Sequence, residues 1–204
     1  AGIQIGQQIS NQMLKGINHE IFGEDSTKTI SLKNFMSGFI SGYTGKGGLM
    51  SMEQAGVTAQ TMMEQVKERS MEAQYSGNKI EGEKFLAKNK TAPGVKVLPC
   101  GVQYKIIKEG TGAIPADTSA VKVHYEGRLL NDTIFDSSYQ RGTPATMRVN
   151  QVIKGWTEVL TKMPVGSVWE VYIPQELAYG AREAGRIKPF SCLKFKIELI
   201  GIEE

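Results

Sequence analysis

Proline occurs seven times in this 204-residue chain, and every one lies beyond residue 92, at positions 93, 99, 115, 144, 164, 174 and 189. Proline has no amide hydrogen and its ring clashes with the carbonyl one turn back, so it is excluded from helix interiors. The longest stretch open to uninterrupted helix is therefore the first 92 residues. Methionine, a good helix former, is distributed the other way, with seven of nine before residue 75. The spacing predicts an α+β chain: an all-α part over 1–92, then a part made of strands and turns over 93–204. That length holds two small domains and buries a core without disulfides or metals.

Three helices are expected in the first part. Ile5, Ile9 and Met13 lie on one stripe, and a Gly16-Ile17-Asn18 loop is expected before His19. Ser31 then caps a helix whose Leu32, Phe35, Met36, Phe39, Ile40 and Tyr43 make a wide apolar face ending at Gly45-Lys46-Gly47-Gly48. The third helix opens with Ser51 and Gln54 in capping-box spacing and meets no proline until 93. That allows about 38 residues, roughly 57 Å at 1.5 Å per residue. Its beginning is apolar (Ala55, Ala59, Met62, Met63, Val66), whereas 67–84 is mostly polar, as in a stalk exposed to solvent. Gly77 and Gly82 are the expected points of bending. Two short amphipathic helices and a long one make too small a core to stand alone, so a second copy, joined through residues 1–66, is the simplest surface to cover them. Docking of these helices on the chain's own second part is the competing arrangement.

In the second part the apolar period changes to two. Val121, Val123 and Tyr125 alternate with Lys122, His124 and Glu126, and Leu193, Phe195, Ile197 and Leu199 alternate with Lys194, Lys196 and Glu198. Asn131-Asp132 is turn chemistry between the first of these strands and Thr133-Ile134-Phe135. Val152, Trp156, Val159 and Leu160 share one stripe of a short helix over 152–160, which turns Trp156 inward.

Several function classes lose support at once. The formal net charge is only +3 and neither part concentrates it, so there is no basic face for nucleic acid. The two cysteines, Cys100 and Cys192, belong to no Cys-x-x-Cys or His/Cys cluster and are expected to be free thiols. His19 and His124 have no second ligand near them, so no metal and no other cofactor is expected. No apolar run approaches the ~20 residues of a membrane span. No signal peptide is visible, and the opening at Ala1 in helical sequence reads as that of a processed or truncated chain.

Five ordered motifs, Val121-Lys-Val-His-Tyr-Glu-Gly127, Phe135-Asp-Ser-Ser138, Val152-Ile-Lys-Gly-Trp156, Ile173-Pro174 with Leu177-Ala-Tyr-Gly180, and Leu193-Lys-Phe-Lys-Ile-Glu-Leu199, resemble FKBP-type peptidyl-prolyl isomerases. Gly82-Glu83, Phe85-Leu86, Asn89 and Gly101-Val-Gln-Tyr-Lys105 are similar to the two-domain bacterial subgroup of macrophage infectivity potentiators and FkpA. The resemblance implies an antiparallel sheet wrapped around a short helix, preceded by a dimerisation arm with a long stalk helix. It further implies a homodimer, a periplasmic or outer-envelope location in a Gram-negative bacterium, proline-containing unfolded or partly folded proteins as substrates, and macrolides as inhibitors. Its pocket maps onto Tyr125, Phe135, Asp136, Val152, Ile153, Trp156, Tyr179, Ile187 and Phe195, with Arg141 behind Asp136. Departures from the family pattern include Met147 in place of a common Phe and a shortened 181–190 loop in which Lys188 replaces a proline.

Rotation about an X-Pro bond breaks amide resonance, a barrier of about 18–20 kcal/mol, and needs neither acid nor base. A dry aromatic pocket favours the less polar twisted amide over the planar one. The resemblance implies that the Tyr179 hydroxyl donates to the substrate carbonyl, and the Ile153 N–H, at a helix start, is the expected second donor. Asp136 has two readings: a carboxylate that tunes the field at the twisting amide, or one that orients Arg141 and the Tyr125 hydroxyl. Three functions compete: a prolyl isomerase, a holding chaperone in which the arm and cleft bind clients, and a binding module that has kept the pocket.

Overall fold

The computed structural model describes residues 2–23, 25–45 and 51–203, divided into two compact units, Ala1–Gln74 and Tyr75–Glu204. Lys46, Gly47 and Gly48, and the side chains of Tyr43 and Ala55, lie outside the described residues.

In the first unit, α1 (Gly2–Gln8) continues through a π-helical segment (Ile9–Met13) into α2 (Leu14–Phe22). The loop expected at Gly16-Ile17-Asn18 is therefore helix. Leu14 and Ile21, two turns apart, are both buried, and that packing outweighs the weak helix propensity of the intervening glycine. Asn18 works from within the helix: its Oδ1 accepts from the Ile30 N–H (2.8 Å) and its Nδ2 donates to Thr29 Oγ1 (2.9 Å), tying the connection back onto α2. In α3 (Leu32–Thr44), the Ser31 hydroxyl accepts from the Asn34 N–H, and Gly45 ends the helix in a left-handed conformation (φ 65°). The box before α4 (Met52–Asn89) is formed in both directions, Ser51 N–H to Gln54 Oε1 and Gln54 N–H to Ser51 Oγ, each 3.2 Å. Among the described residues of this unit, Leu14 and Ile21 are the only buried hydrophobic side chains, while Ile5, Leu32, Phe39, Ile40, Val57 and Met62 are exposed.

One residue of α4, Tyr75, has non-helical dihedrals (φ −112°, ψ 20°), two positions before the expected bend at Gly77. From there on the helix belongs to the second unit, and it is less free than a solvent stalk. Phe85 packs on Tyr172 with ring centroids 5.6 Å apart, the Leu86 carbonyl accepts from Gln103 Nε2 (2.8 Å), and Asn89 donates to Gln103 Oε1 (2.9 Å).

The rest of the second unit is a seven-stranded antiparallel sheet of β1 (Val95–Val97), β2 (Gln103–Lys108), β3 (Ala120–Arg128), β4 (Ile134–Ser137), β5 (Ala145–Arg148), β6 (Val168–Ile173) and β7 (Leu193–Glu203), in the order β1-β2-β6-β7-β3-β4 with β5 also on β3. The β3–β4 turn places Asp132 at φ 66°, and the Thr133 N–H donates to Asn131 Oδ1, turn chemistry that Asn and Asp supply. Alternation holds on β7, whose Leu193, Phe195, Ile197 and Leu199 are all buried. Against that face lies α6 (Lys154–Leu160), which follows the one-turn α5 (Ser138–Arg141) and whose Trp156, Val159 and Leu160 share one core with Val123, Val171 and Ile197. The α+β fold expected from the sequence is thus formed, with a long helix before an antiparallel sheet packed on a short one.

Candidate active site

The site is assembled where α6 meets the inner face of β3, β4 and β7. Alternation delivers Tyr125 from β3 and Phe195 from β7, and the stripe of α6 brings Trp156 between them. The Trp156 ring meets Tyr125 edge-on at 5.2 Å (87°) and Phe195 edge-on at 5.3 Å (87°), and Phe135 meets Phe195 at 5.6 Å (86°). These are the arrangements aromatic quadrupoles favour. Gly127 makes the approach possible. A Cβ there would lie 2.5 Å from the Phe135 ring and 2.8 Å from the Phe195 ring, so a side chain would push both rings out of the pocket.

A cavity of about 670 Å³ opens over these rings. Of the residues expected from the sequence, Tyr125, Phe135, Asp136, Val152, Ile153, Trp156, Tyr179 and Phe195 line it. Ile187 does not. It is buried in the core and exchanges backbone hydrogen bonds with Ala184 within the loop. Arg141 stands behind the wall, donating to both Asp136 and the Tyr125 hydroxyl. Sequence reasoning missed Gln151, Lys154, Glu176 and Arg182, which also line the cavity. Gln151 and Lys154 flank Val152-Ile153 and were findable from that position. Glu176 comes from a single 3-10 turn (Gln175–Leu177) and Arg182 from the loop after it, both too short for a period to signal direction.

The helix of the site begins two residues later than expected, with Ile153 as N-cap (φ −59°, ψ 146°). Its carbonyl accepts from Trp156 and Thr157, while its own N–H precedes the first helical bond. Across the cavity mouth, the Tyr179 hydroxyl has no hydrogen-bond partner among the described residues, leaving its donor available to a ligand.

Asp136 accepts from the Tyr125 hydroxyl and from Arg141. Burial alone would raise its pKa, but those two bonds outweigh burial and hold the carboxyl below its ordinary value. Tyr125 moves the other way, raised first by burial and then by the bond to Asp136. The proton accordingly stays on the phenol and the charge on the carboxylate. Behind Tyr125, the fully buried Ser138 hydroxyl accepts from the Tyr125 N–H (2.7 Å) and donates to the Tyr125 carbonyl (3.2 Å), with His124 Nδ1 2.9 Å away. The serine pair after Phe135-Asp136 thus has a physical purpose: it pins the backbone that carries the pocket tyrosine. Among the described residues, no group of three or more His, Cys, Asp or Glu is placed to hold a metal ion.

Comparison with known families gives two matches that together span nearly the whole chain. Residues 112–200 match the FKBP-type peptidyl-prolyl cis-trans isomerase domain, and residues 1–106 match the domain amino terminal to FKBP-type peptidyl-prolyl isomerase. The chain belongs to the FKBP-type peptidyl-prolyl cis-trans isomerase family. Among its relatives, the FKBP-type 22 kDa peptidyl-prolyl cis-trans isomerase of Escherichia coli is 40% identical over 98% of this chain and 91% of that protein. The outer membrane protein MIP of Legionella longbeachae is 52% identical over 62% of this chain and 55% of that protein. The crystal structure of FkpA from Escherichia coli superposes with a TM-score of 0.64 at 30% identity, covering 99% of this chain and 92% of that one. Within the second unit of this FKBP-type chain the two cysteines differ sharply. Both are free, Cys100 exposed and Cys192 buried, and burial, reinforced by the charge of Glu176, pushes the Cys192 thiol up to about 12.

Proposed function

We propose that this FKBP-type isomerase seats a prolyl ring on Trp156, between Tyr125, Phe135 and Phe195, and lowers the barrier to X-Pro rotation without any covalent or acid–base step. The single observation that carries the reading is the set of three edge-on ring contacts around one open apolar cavity. In such a pocket the planar amide loses the hydration that stabilises its dipole, whereas the less polar twisted amide loses less. The Tyr179 hydroxyl donates to the substrate carbonyl, and the Ile153 N–H, at the start of α6, is the second donor. Val152 walls the cavity, and Asp136, neutralised by Arg141, fixes the Tyr125 hydroxyl.

The substrates are proline-containing segments of unfolded or partly folded proteins, and macrolides that mimic a prolyl amide occupy the same pocket. Residues 93–204 form the isomerase domain, and residues 1–92 form the arm and its long helix. Two chains join through residues 1–66. What supports the homodimer is the imbalance in the first unit, in which two hydrophobic side chains are buried and many more are exposed along α1, α3 and α4. The name of the Legionella relative supports a location in the cell envelope. No helix among the described residues is long and apolar enough to cross a membrane.

A protease-coupled isomerisation assay on a proline tetrapeptide tests the reading. The expected result is an accelerated cis–trans phase that a macrolide suppresses. A rate equal to that without protein would remove the pocket's proposed role.

A further inference from the structure

The 180–190 loop that follows Tyr179 is closed on itself at one end and held from outside at the other. The Gly180 N–H donates to Gln175 and the Gly180 carbonyl accepts from the Phe190 N–H at 2.8 Å, so the loop returns to within one residue of Tyr179. The returning limb is the part that needs holding. Phe190 has φ 59°, a left-handed conformation that a bulky residue adopts only when its surroundings impose it. The last turns of α4, in the same compact unit, meet this limb at two points on either side of Phe190. Asn78 Nδ2 donates to the Pro189 carbonyl at 3.0 Å, and the Gly82 backbone is seated against Cys192, two residues beyond Phe190.

We infer that Asn78 is a positioning residue for the isomerase reaction: by holding the Pro189 carbonyl it fixes Phe190 in its left-handed turn, and through the Phe190–Gly180 hydrogen bond it sets the Tyr179 hydroxyl at the pocket mouth. The inference rests on the reading of Tyr179 as a donor to substrate. Asn78 touches no substrate and lies outside the cavity lining. Its effect therefore passes through Tyr179, and a donor displaced by a fraction of an ångström loses its alignment with the twisted amide while the prolyl seat stays intact.

The test is a double-mutant cycle on the full chain, with tetrapeptide kinetics and thermal stability measured for Asn78→Ala, Tyr179→Phe and the double variant. Asn78→Ala is expected to lower kcat about fivefold with KM nearly unchanged, and to cost less than about twofold once Tyr179 has lost its hydroxyl. Asn78→Asp, close to the same size but without the donor, is expected to repeat the loss, which separates the hydrogen bond from lost volume. A wild-type kcat in both Asn78 variants overturns the inference. The same holds if Asn78→Ala costs as much in the Tyr179→Phe background as in the wild-type chain, because that is what a merely structural role produces. Were Tyr179→Phe itself to run at the wild-type rate, the donor reading would fall and this inference with it.

Discussion

At the residue scale the pocket separates apolar enclosure from polar alignment, and substitutions should report them separately. Trp156→Leu removes the ring that Tyr125 and Phe195 both meet edge-on, so kcat/KM should fall by about tenfold or more. Tyr179→Phe removes one hydrogen bond worth about 0.5–1.5 kcal/mol, or roughly two- to tenfold in rate. Asp136→Ala leaves Arg141 without its carboxylate and frees the Tyr125 hydroxyl, for a loss of about the same size. Tetrapeptide kinetics on the three variants check these values, and unchanged rates in all three would remove the pocket from the reaction. The pH profile follows from the two titrations. With its pKa held down in the folded state, Asp136 contributes stability that is present above the unfolded carboxylate value, about 3.9, and is lost as pH falls through the lower folded value. Tyr125 is raised and keeps its proton. Neither changes charge near neutrality, so kcat/KM between about pH 6 and 8 should be flat, and a bell-shaped profile would point to acid–base catalysis instead.

At the element scale, what could be read from the sequence was whatever repeats. Period two on β3 and β7 placed Tyr125 and Phe195 inward, and the i, i+4 stripe of α6 placed Trp156. The capping box at Ser51 and the absence of proline before 93 gave a helix that the structure ends at Asn89. What escaped was decided by contacts distant in sequence. Gly82 looked like a weak point because glycine costs a helix about 1 kcal/mol relative to alanine. In the folded chain it is a point of close approach, where an added Cβ would meet Cys192 Cβ at 2.9 Å. Gly77, with nothing within 4 Å of its position, is the contrasting case. Gly77→Ala should therefore stabilise by up to about 1 kcal/mol, while Gly82→Ala should destabilise by about 1–3 kcal/mol through overpacking. Denaturant unfolding of the two variants gives the signs directly. The 180–190 loop was illegible for a related reason, since a left-handed phenylalanine held by a helix far earlier in the chain leaves no local signature. So was the continuity of α1 into α2, settled by the burial of Leu14 and Ile21.

At the scale of the whole molecule, the unit boundary at Gln74–Tyr75 changes where the chain should be cut. A fragment starting at residue 95 would strip the sheet unit of Phe85, Leu86 and Asn89, which cover Tyr172 and Gln103. Residues 75–204 should fold as a monomer with tetrapeptide activity close to that of the full chain. On a large unfolded substrate the fragment should be slower, because the two linked pockets of the proposed homodimer would raise effective concentration without new contacts. Analytical ultracentrifugation and a proline-limited refolding assay check both halves of this expectation. A full chain that sediments as a monomer would contradict the dimer, and equal refolding rates would mean that the arm adds nothing to catalysis on proteins. A full chain that suppresses aggregation while Trp156→Leu does so equally well would favour the chaperone reading. The contrast between the two thiols supplies a spectroscopic handle on the pair. With Cys192 shielded and poorly ionised, a nitroxide reagent should modify the wild-type chain at Cys100 alone. In the proposed homodimer two such labels, one on each sheet unit, would couple, and that dipolar coupling would serve as a ruler: its mean would read how far apart the two pockets stand, and its breadth how freely they swing.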